Sequence, residues 1–221
     1  MISKFKIKVL SLKRRKDRRE YFSDFFSKIY TTPFEFFDAI DGKEYILNEK
    51  EESYFTKSNY HQWNVHINSV KCTALSHMKM WKSCIDENIP YLIFEDDLTE
   101  VFGGYKIKPP TDYELYLIGE ENTYPNCYAY WINPNGAKKL IKIVERVGFI
   151  ESVDWFLSKL TKNDLKIKWH GINSFGSLQS ADGNTSDILL EGYDSYKIIY
   201  NFNKILTLFI FLFQKIVVYW A

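Results

Sequence analysis

The stretch "YLIFEDDLTE" at residues 91–100 runs four apolar or aromatic residues directly into three adjacent carboxylates. The first four predict a strand buried on both faces, since a short, continuous apolar run is typical of such strands. Adjacent carboxylates repel one another, and burying them without compensation is unfavourable. Either water surrounds this strand end, or a cation lies against it.

The three acids differ in direction. Side chains alternate along a strand, so Glu95 and Asp97 are expected to point to one side and Asp96 to the other. Two hard oxygen ligands on one side suit Mg²⁺ or Mn²⁺ when a substrate phosphate completes the coordination shell. A solvated loop or a helix N-terminus that carries acids is the alternative, and the local pattern leaves both interpretations open.

Strand and helix patterns alternate on both sides of this stretch. They predict one α/β domain over residues 1–200, with a mostly parallel central sheet flanked by helices and ligands bound at the carboxyl ends of the strands. The segment 43–70 is polar and is expected to be irregular. Further strands are predicted at 5–10, 34–37, 115–119, 128–132 and 165–169. Helices are predicted from apolar faces formed by Tyr21, Phe22, Phe25, Phe26 and Ile29; by Ala74, Leu75, Met78, Trp81 and Ile85; and by Ala137, Leu140, Ile141 and Val144, with a short fourth helix at 153–160.

Charge and cysteine content narrow the function classes. The net charge of +1 over 221 residues gives no electrostatic footprint for nucleic acid. Three cysteines without C-x-x-C spacing argue against a disulfide framework or a zinc knuckle and fit a reducing compartment. Residues 4–9 alternate lysine with apolar residues like a strand, which is not the pattern of a signal peptide. We therefore expect a cytoplasmic protein.

The most apolar segment is "ILTLFIFLFQKIVVYWA" at residues 205–221. Its length is near the lower limit for crossing a bilayer, and Gln214 and Lys215 interrupt it. Flanking lysines and the closing Tyr219 and Trp220 suit a helix at a membrane interface. A helix docked on the domain and a true span are the alternatives. Residues 201–221 are thus set apart from the domain as a candidate anchor to the inner membrane.

A basic loop, "SLKRRKDRR" at residues 11–19, lies between the first predicted strand and helix. Basic residues at a helix start oppose the helix dipole, so helix formation does not explain them. They could bind a diphosphate with the help of helix N–H groups, or form a solvated turn or a patch for anionic lipid. Combined with the acidic strand end, the loop favours a nucleotide-sugar site.

The combination of these motifs resembles glycosyltransferase family 25, the bacterial lipopolysaccharide and lipooligosaccharide sugar transferases. The resemblance runs from about residue 7 to residue 188. It rests on the basic loop, on Phe37-Asp38-Ala39 and Asp41-Gly42, on Leu75-Ser76-His77 and Trp81, on Glu95-Asp96-Asp97, on Ala129–Ile132 before Gly136-Ala137, on Val153-Asp154, and on Gln179 with Ser186-Asp187-Ile188. Ser11 and Cys72 depart from the usual residues, and the interval between the acidic motif and Tyr130 is short.

The resemblance implies a GT-A-type fold, a UDP-sugar donor with galactose commonest, a divalent metal, Mn²⁺ or Mg²⁺, and inversion to a β-linkage on a lipooligosaccharide acceptor. Glu95 and Asp97 are the implied metal site, and Asp154 is the candidate base that deprotonates the acceptor hydroxyl. The implied donor site consists of Arg14, Arg15, Asp17, Arg18, Asp38, Ser76 and His77. A metal-dependent nucleotidyl or phosphoryl transferase and a catalytically silent, membrane-associated binding protein of the same fold are the alternatives.

Overall fold

The computed structural model describes residues 5–29, 31–56, 68–100, 112–118, 129–149, 152–160, 163–169 and 175–177. The elements in chain order are β1 (Lys6–Ser11), α1 (Lys16–Ile29), β2 (Phe34–Asp38), α2 (Glu49–Thr56), α3 (Asn68–Glu87), β3 (Tyr91–Glu95), β4 (Leu98–Glu100), β5 (Leu115–Leu117), β6 (Ala129–Ile132), α4 (Pro134–Val147), α5 (Val153–Ser158), β7 (Ile167–Trp169) and β8 (Phe175–Ser177).

Six of these strands form one sheet in the order β2-β1-β3-β6-β5-β7. Strand β1 pairs in parallel with β2 and β3, and β5 pairs in parallel with β7. Strand β6 is antiparallel to both of its neighbours. The sheet is therefore mixed, and the predicted α/β class, with helices flanking a central sheet, is confirmed. The helical connections from β1 to β2 and from β2 to β3 are the crossovers that parallel pairing requires.

Two apolar layers cover the two faces of the sheet. Helix α1 packs Phe22 and Phe26 against Phe94 on one face, with ring centroids 6.2 and 5.2 Å from that of Phe94. Tyr91 and Ile93 point to the other face, into the layer that α3, α4 and α5 help to form. The alternation along β3 thus aims successive side chains into opposite layers, as the sequence predicted.

The apolar face of α1 is narrower than the sequence indicated. Phe22 and Phe26 are buried, but Tyr21 is 41 % exposed and stacks on Phe25 at the edge of the helix. The reason is that α1 meets the sheet through one side only. The prediction that Tyr21 belongs to the buried face was wrong.

The expectation of an irregular segment over 43–70 was also wrong. It contains α2 and the start of α3. Helix α2 begins with a capping box, in which the Glu51 N–H donates to Asn48 Oδ1 and the Asn48 N–H donates to the Glu51 carboxylate. Within this short, acidic helix only Tyr54 and Phe55 are buried, so its apolar periodicity is too weak to see in the sequence.

Helix α4 begins at Pro134, with Asn133 as its N-cap. The Gly136 N–H donates to Asn133 Oδ1 over 2.8 Å, and the Asn133 amide donates to the Tyr113 carbonyl over 3.0 Å. A Cβ at Gly136 would lie 2.2 Å from the Glu114 carbonyl oxygen. Glycine is required there because the start of α4 lies directly against the backbone of Glu114, which leaves no room for a side chain.

In the part of the chain that the structure describes, no helix has the length and apolarity to cross a membrane. The apolar segment 205–221, Gln179 and Ser186–Ile188 lie outside the described residues. Strands β4 and β8 form a separate two-stranded sheet beyond the acidic motif, and neither was predicted.

Candidate functional site

Three adjacent strands end at one edge of the sheet. Strand β1 ends at Ser11, β2 at Asp38 and β3 at Glu95, and their registers place Ser11 opposite Asp38 and Leu10 opposite Glu95. The Ala39 N–H donates to the Ser11 carbonyl over 2.9 Å and ties the loop after β2 to β1. Because these strands are parallel, the acidic motif and the two loops predicted to bind a donor lie at the same edge.

Glu95 is the end of a hydrogen-bonded series. Its Oε1 lies 3.1 Å from His77 Nε2, and His77 Nδ1 lies 2.8 Å from the Tyr130 hydroxyl. That hydroxyl accepts from Trp81 Nε1 over 2.9 Å. We call Trp81, Tyr130, His77 and Glu95 the buried polar row, since the first three are almost wholly buried and Glu95 is mostly so.

His77 is neutral in this environment. Burial lowers its pKa to about 4, although the charge of Asp154 acts in the opposite direction. At pH 7 the contact between His77 and Glu95 is therefore a hydrogen bond rather than an ion pair.

The carboxylates of Glu95 and Asp97 influence each other. Burial and then the charge of Asp97 raise the pKa of Glu95 well above its usual value; Asp96 adds to this and Arg18 opposes it. Asp97 is itself only 3 % exposed. Two carboxylates shielded from water in this way favour a nearby cation.

This donor set fits a hard divalent ion such as Mg²⁺ or Mn²⁺, for which carboxylate oxygens are suitable ligands. Among the described residues, no group of three or more His, Cys, Asp and Glu is arranged to hold a metal ion. A metal at Glu95 and Asp97 would therefore take further ligands from a substrate phosphate or water. The metal assignment stays a prediction.

Asp96 points toward α1, opposite to Glu95. Arg18 Nη1 donates to Asp96 Oδ1 over 3.1 Å, and the two side chains are 11 % and 8 % exposed. Burial still raises the pKa of Asp96, against the lowering effects of Ser11 and Arg18. The sequence led us to expect either water or a cation beside the three acids. At Asp96 the cation is the guanidinium of Arg18.

Two further arginines connect the loops at this edge. Arg14 Nε donates to Asp41 in the loop after β2. Arg19 Nη2 donates to Asp38 over 2.6 Å and to the Ser11 carbonyl over 3.0 Å. The loop after β1 and the loop after β2 are therefore joined by ion pairs, and Arg19 and Asp41 are site residues that the sequence analysis missed as candidates.

Arg15 and Asp17 form a more exposed pair. Arg15 Nη2 lies 2.7 Å from Asp17 Oδ2, and this contact lowers the pKa of Asp17 to about 2. Asp17 stands in the first turn of α1, where its charge also favours the helix dipole. The predicted donor residues Arg14, Arg15, Asp17, Arg18 and Asp38 all lie at this edge, and each contacts an oppositely charged side chain.

Ser76 and His77 lie beneath the surface. Ser76 Oγ accepts from the Ile40 N–H over 2.9 Å and donates to the Cys72 carbonyl over 2.6 Å. His77 reaches only as far as Glu95 on the site side. Both were predicted as donor-binding residues. In this structure their side chains contact other residues of the protein, so they would influence a donor indirectly, Ser76 through the Ile40 loop and His77 through Glu95.

Asp154 lies in the first turn of α5 and is partly buried. Its charge raises the pKa of His77, so it stands close enough to the buried polar row to influence it. The assignment of Asp154 as the base stays a prediction. Tyr130 was missed as a functional residue because "AYWI" reads as an apolar strand, which hides the role of its hydroxyl.

Comparison with known proteins agrees with this geometry. Residues 5–108, which include the basic loop and the acidic motif, match the model of glycosyltransferase family 25, described as an LPS biosynthesis protein. The lipooligosaccharide biosynthesis protein lic2B of Haemophilus influenzae is 34 % identical over 62 % of this chain and 53 % of its own length. The lacto-N-neotetraose biosynthesis glycosyltransferase LgtB of Neisseria meningitidis is 33 % identical over 41 % of this chain and 32 % of its own.

A further Haemophilus influenzae protein is 27 % identical over 66 % of this chain and 60 % of its own length. The chain thus spans no more than about three fifths of these curated relatives. The matched segment carries both halves of the site edge, the loops after β1 and β2 and the end of β3. On this evidence residues 5–108, a little under half of the chain, are similar to glycosyltransferase family 25, and two lipooligosaccharide-related or glycosyltransferase relatives share that similarity.

Proposed function

We propose that this protein transfers a hexose, with galactose as the expected sugar, from a UDP-sugar to a lipooligosaccharide or lipopolysaccharide glycan, with inversion to a β-linkage. The observation that carries the proposal is the pair Glu95 and Asp97, two mutually repelling carboxylates at the edge where three strands end. The family match and the printed names of two relatives support the reaction class.

The sheet topology supports a GT-A-like nucleotide-sugar fold. Three parallel strands, β2-β1-β3, form the half of the sheet with the basic loop, and the antiparallel strand β6 follows β3. In open α/β sheets ligands bind outside the carboxyl ends of the strands. We propose that the diphosphate lies there, between the basic loop and the acidic strand end.

The donor would be bound mainly by charge and by hydrogen bonds from the two loops. Arg14 and Arg15 are more exposed than Arg18 and could exchange their present carboxylate partners for phosphate oxygens. Asp38, which is exposed beyond its contact with Arg19, is placed to accept hydrogen bonds from ribose hydroxyls.

The reaction itself needs a base and a stabilised leaving group. As the acceptor hydroxyl attacks the anomeric carbon, its proton passes to the Asp154 carboxylate, and the bond from the anomeric carbon to the UDP oxygen breaks with its electron pair leaving on UDP. A divalent ion bound by Glu95 and Asp97 would supply charge neutralisation for the diphosphate. Arg14 and Arg15 add positive charge on the other side.

We further propose that the protein works at the cytoplasmic face of the inner membrane and that residues 205–221 contribute to attachment. The support is the apolar sequence of that segment with its closing aromatics. A glycolipid acceptor is confined to a surface, so attachment would raise its local concentration.

The test is a transfer assay with several UDP-sugars and a panel of glycan acceptors, in which free UDP and the glycan product are both measured. We expect UDP and product in equal amounts, loss of transfer in excess chelator, and loss in Asp97→Asn with an unchanged fold by circular dichroism. Asp86→Asn, an exposed acid on α3, is the matched control and should transfer normally.

Release of phosphate or pyrophosphate instead of UDP would favour a phosphoryl or nucleotidyl transferase. Full activity of Asp97→Asn or of the chelated protein would overturn the metal assignment. Binding of donor without any turnover would favour the catalytically silent alternative.

A further inference from the structure

Behind the acidic strand end lies the buried polar row, of which the proposed reaction uses Glu95 directly but not Trp81, Tyr130 or His77. It joins α3 to β6 and β3 through Trp81, Tyr130, His77 and Glu95, with successive heavy-atom distances of 2.9, 2.8 and 3.1 Å. A buried polar series of this kind is stable only if its donors and acceptors match. Its proton arrangement can therefore be worked out from the ends.

The Trp81 end decides the direction. An indole N–H is only a donor, so the Tyr130 oxygen must accept from Trp81. The single Tyr130 hydroxyl proton is then available for His77 Nδ1, which accepts it with its lone pair. With that bond formed, the imidazole would carry its own proton on Nε2 and donate it to the Glu95 side chain. Every proton in the row then has an acceptor.

The opposite arrangement differs in which His77 nitrogen carries the proton. It would place the His77 proton on Nδ1, require the Tyr130 oxygen to accept from both rings, and require Glu95 to carry a proton in order to donate to Nε2. A protonated carboxyl is a poor ligand for a cation.

We propose that Tyr130 and His77 are positioning residues that hold the Glu95 side chain aimed at the donor edge, with His77 in the Nε2–H form. This inference rests on the proposed function for its consequence in catalysis, but its proton arrangement does not depend on it. Trp81 sets the polarity of the row from the far end.

The first experiment measures the proton directly. Nitrogen NMR of the full-length protein labelled at its histidine side chains, with the His77 signals assigned by their loss in His77→Gln, should show a protonated Nε2 and a hydrogen-bonded, unprotonated Nδ1. Tyr130→Phe should shift the Nδ1 signal to that of a nitrogen without a hydrogen bond. Protonation of Nδ1 in the wild type would overturn the proposal, whether or not the protein transfers sugar.

The second experiment measures the consequence. Tyr130→Phe removes one oxygen atom and should lower kcat about 10- to 100-fold, the range typical of residues that orient a ligand from behind, with a smaller change in KM for the donor. Tyr91→Phe is the matched control, because Tyr91 is a buried β3 residue whose hydroxyl contacts Ser83 outside the row. It should transfer within about twofold of the wild type.

The two experiments separate this inference from the function on which it rests. Wild-type transfer with equal kcat in Tyr130→Phe would overturn the positioning role and leave the glycosyltransferase proposal standing. The expected nitrogen signals in a protein that transfers no sugar would support the proton arrangement and overturn the proposed function.

Discussion

Arg18 Nη1 lies 3.1 Å from Asp96 Oδ1, and the two side chains are 11 % and 8 % exposed, so α1 is held to the acidic strand end by a buried ion pair. Removing one partner of such a pair leaves an uncompensated charge in the interior. We expect Arg18→Met to lower the free energy of unfolding by about 3–5 kcal/mol in urea denaturation. Phosphate binding is then a secondary role for Arg18 at most.

A double variant separates the charge from the packing. Arg18→Met combined with Asp96→Leu removes both charges, and it should recover most of the stability that the single variant loses. Arg15→Met is the control: its partner Asp17 is exposed, so its loss should change stability by less than about 1 kcal/mol. Equal losses in Arg18→Met and Arg15→Met would show that the Arg18 pair is not effectively buried.

The contact between Ser76 and Ile40 gives a second prediction. Ser76→Ala leaves the Ile40 N–H without its acceptor, which should destabilise the protein by about 1–3 kcal/mol. Because Asp41 follows directly in the same loop, KM for the donor should rise more than kcat falls. The measurements are thermal unfolding and initial rates over a range of UDP-sugar concentrations.

Ser53→Ala is the control for this variant, since the Ser53 hydroxyl bonds the Lys50 carbonyl at the surface of α2. It should change neither property measurably. A Ser76→Ala protein with lower stability but wild-type KM would show that Ser76 supports the fold alone and has no influence on the donor.

The strands and long helices could be predicted from sequence because their apolar periods are strong. The run 91–94 and the helical repeat around Trp81 both appear where expected, with β3 at Tyr91–Glu95 and α3 at Asn68–Glu87. Helix α2 was not predicted, because it buries only two side chains and so shows little apolar periodicity. The direction of β6 was not predicted either. This strand is as apolar as a parallel one, and only its pairing with β3 and β5 shows that it is antiparallel.

Side-chain contacts between residues distant in sequence explain why the site could be only partly predicted. The predicted topology brings Glu95, Asp96 and Arg18 to one edge of the sheet. The sequence does not show that Arg18 forms its ion pair with Asp96, 78 residues farther along the chain. It likewise shows a strand at Tyr130 without showing that its hydroxyl meets His77 and Trp81. Such contacts depend on packing between distant elements rather than on any local pattern.

Donor binding gives a third prediction. In the presence of Mn²⁺, UDP should raise the melting temperature by mass action, equivalent to about 2.7 kcal/mol at a hundredfold excess over Kd. Arg14→Ala should reduce this shift, because Arg14 is the more exposed partner in its pair with Asp41 and could contact the diphosphate. Equal stabilisation by CMP or GDP would contradict the choice of UDP.

Lys28→Ala is the control for charge alone. Lys28 lies at the far end of α1 and pairs with Asp24 at the surface, so its removal should leave the UDP shift unchanged. If Arg14→Ala and Lys28→Ala behave alike, the diphosphate is bound elsewhere.

A fourth prediction concerns residues 204–221. Their sequence places Leu206, Phe209, Ile210, Phe213, Ile216 and Val217 at helical spacing. If the segment attaches the protein to a membrane, its deletion should leave a folded protein that transfers sugar to a small soluble acceptor and moves from the membrane fraction to the supernatant. Insoluble or unfolded protein after deletion would show instead that the segment belongs to the core.

The last prediction tests Asp154 as the base. Asp154 stands in the first turn of α5, partly buried, and its charge raises the pKa of His77, which contacts Glu95. Asn keeps the size but removes the proton acceptor, and a lost general base commonly costs about 10²- to 10⁴-fold in rate. We expect Asp154→Asn to lower kcat by that factor while UDP still raises its melting temperature. A purely structural role in the first helical turn predicts a stability loss of about 1 kcal/mol or less and nearly normal kcat. Asp24→Asn on the surface of α1 is the control, and near wild-type transfer by Asp154→Asn would move the search for the base to another carboxylate.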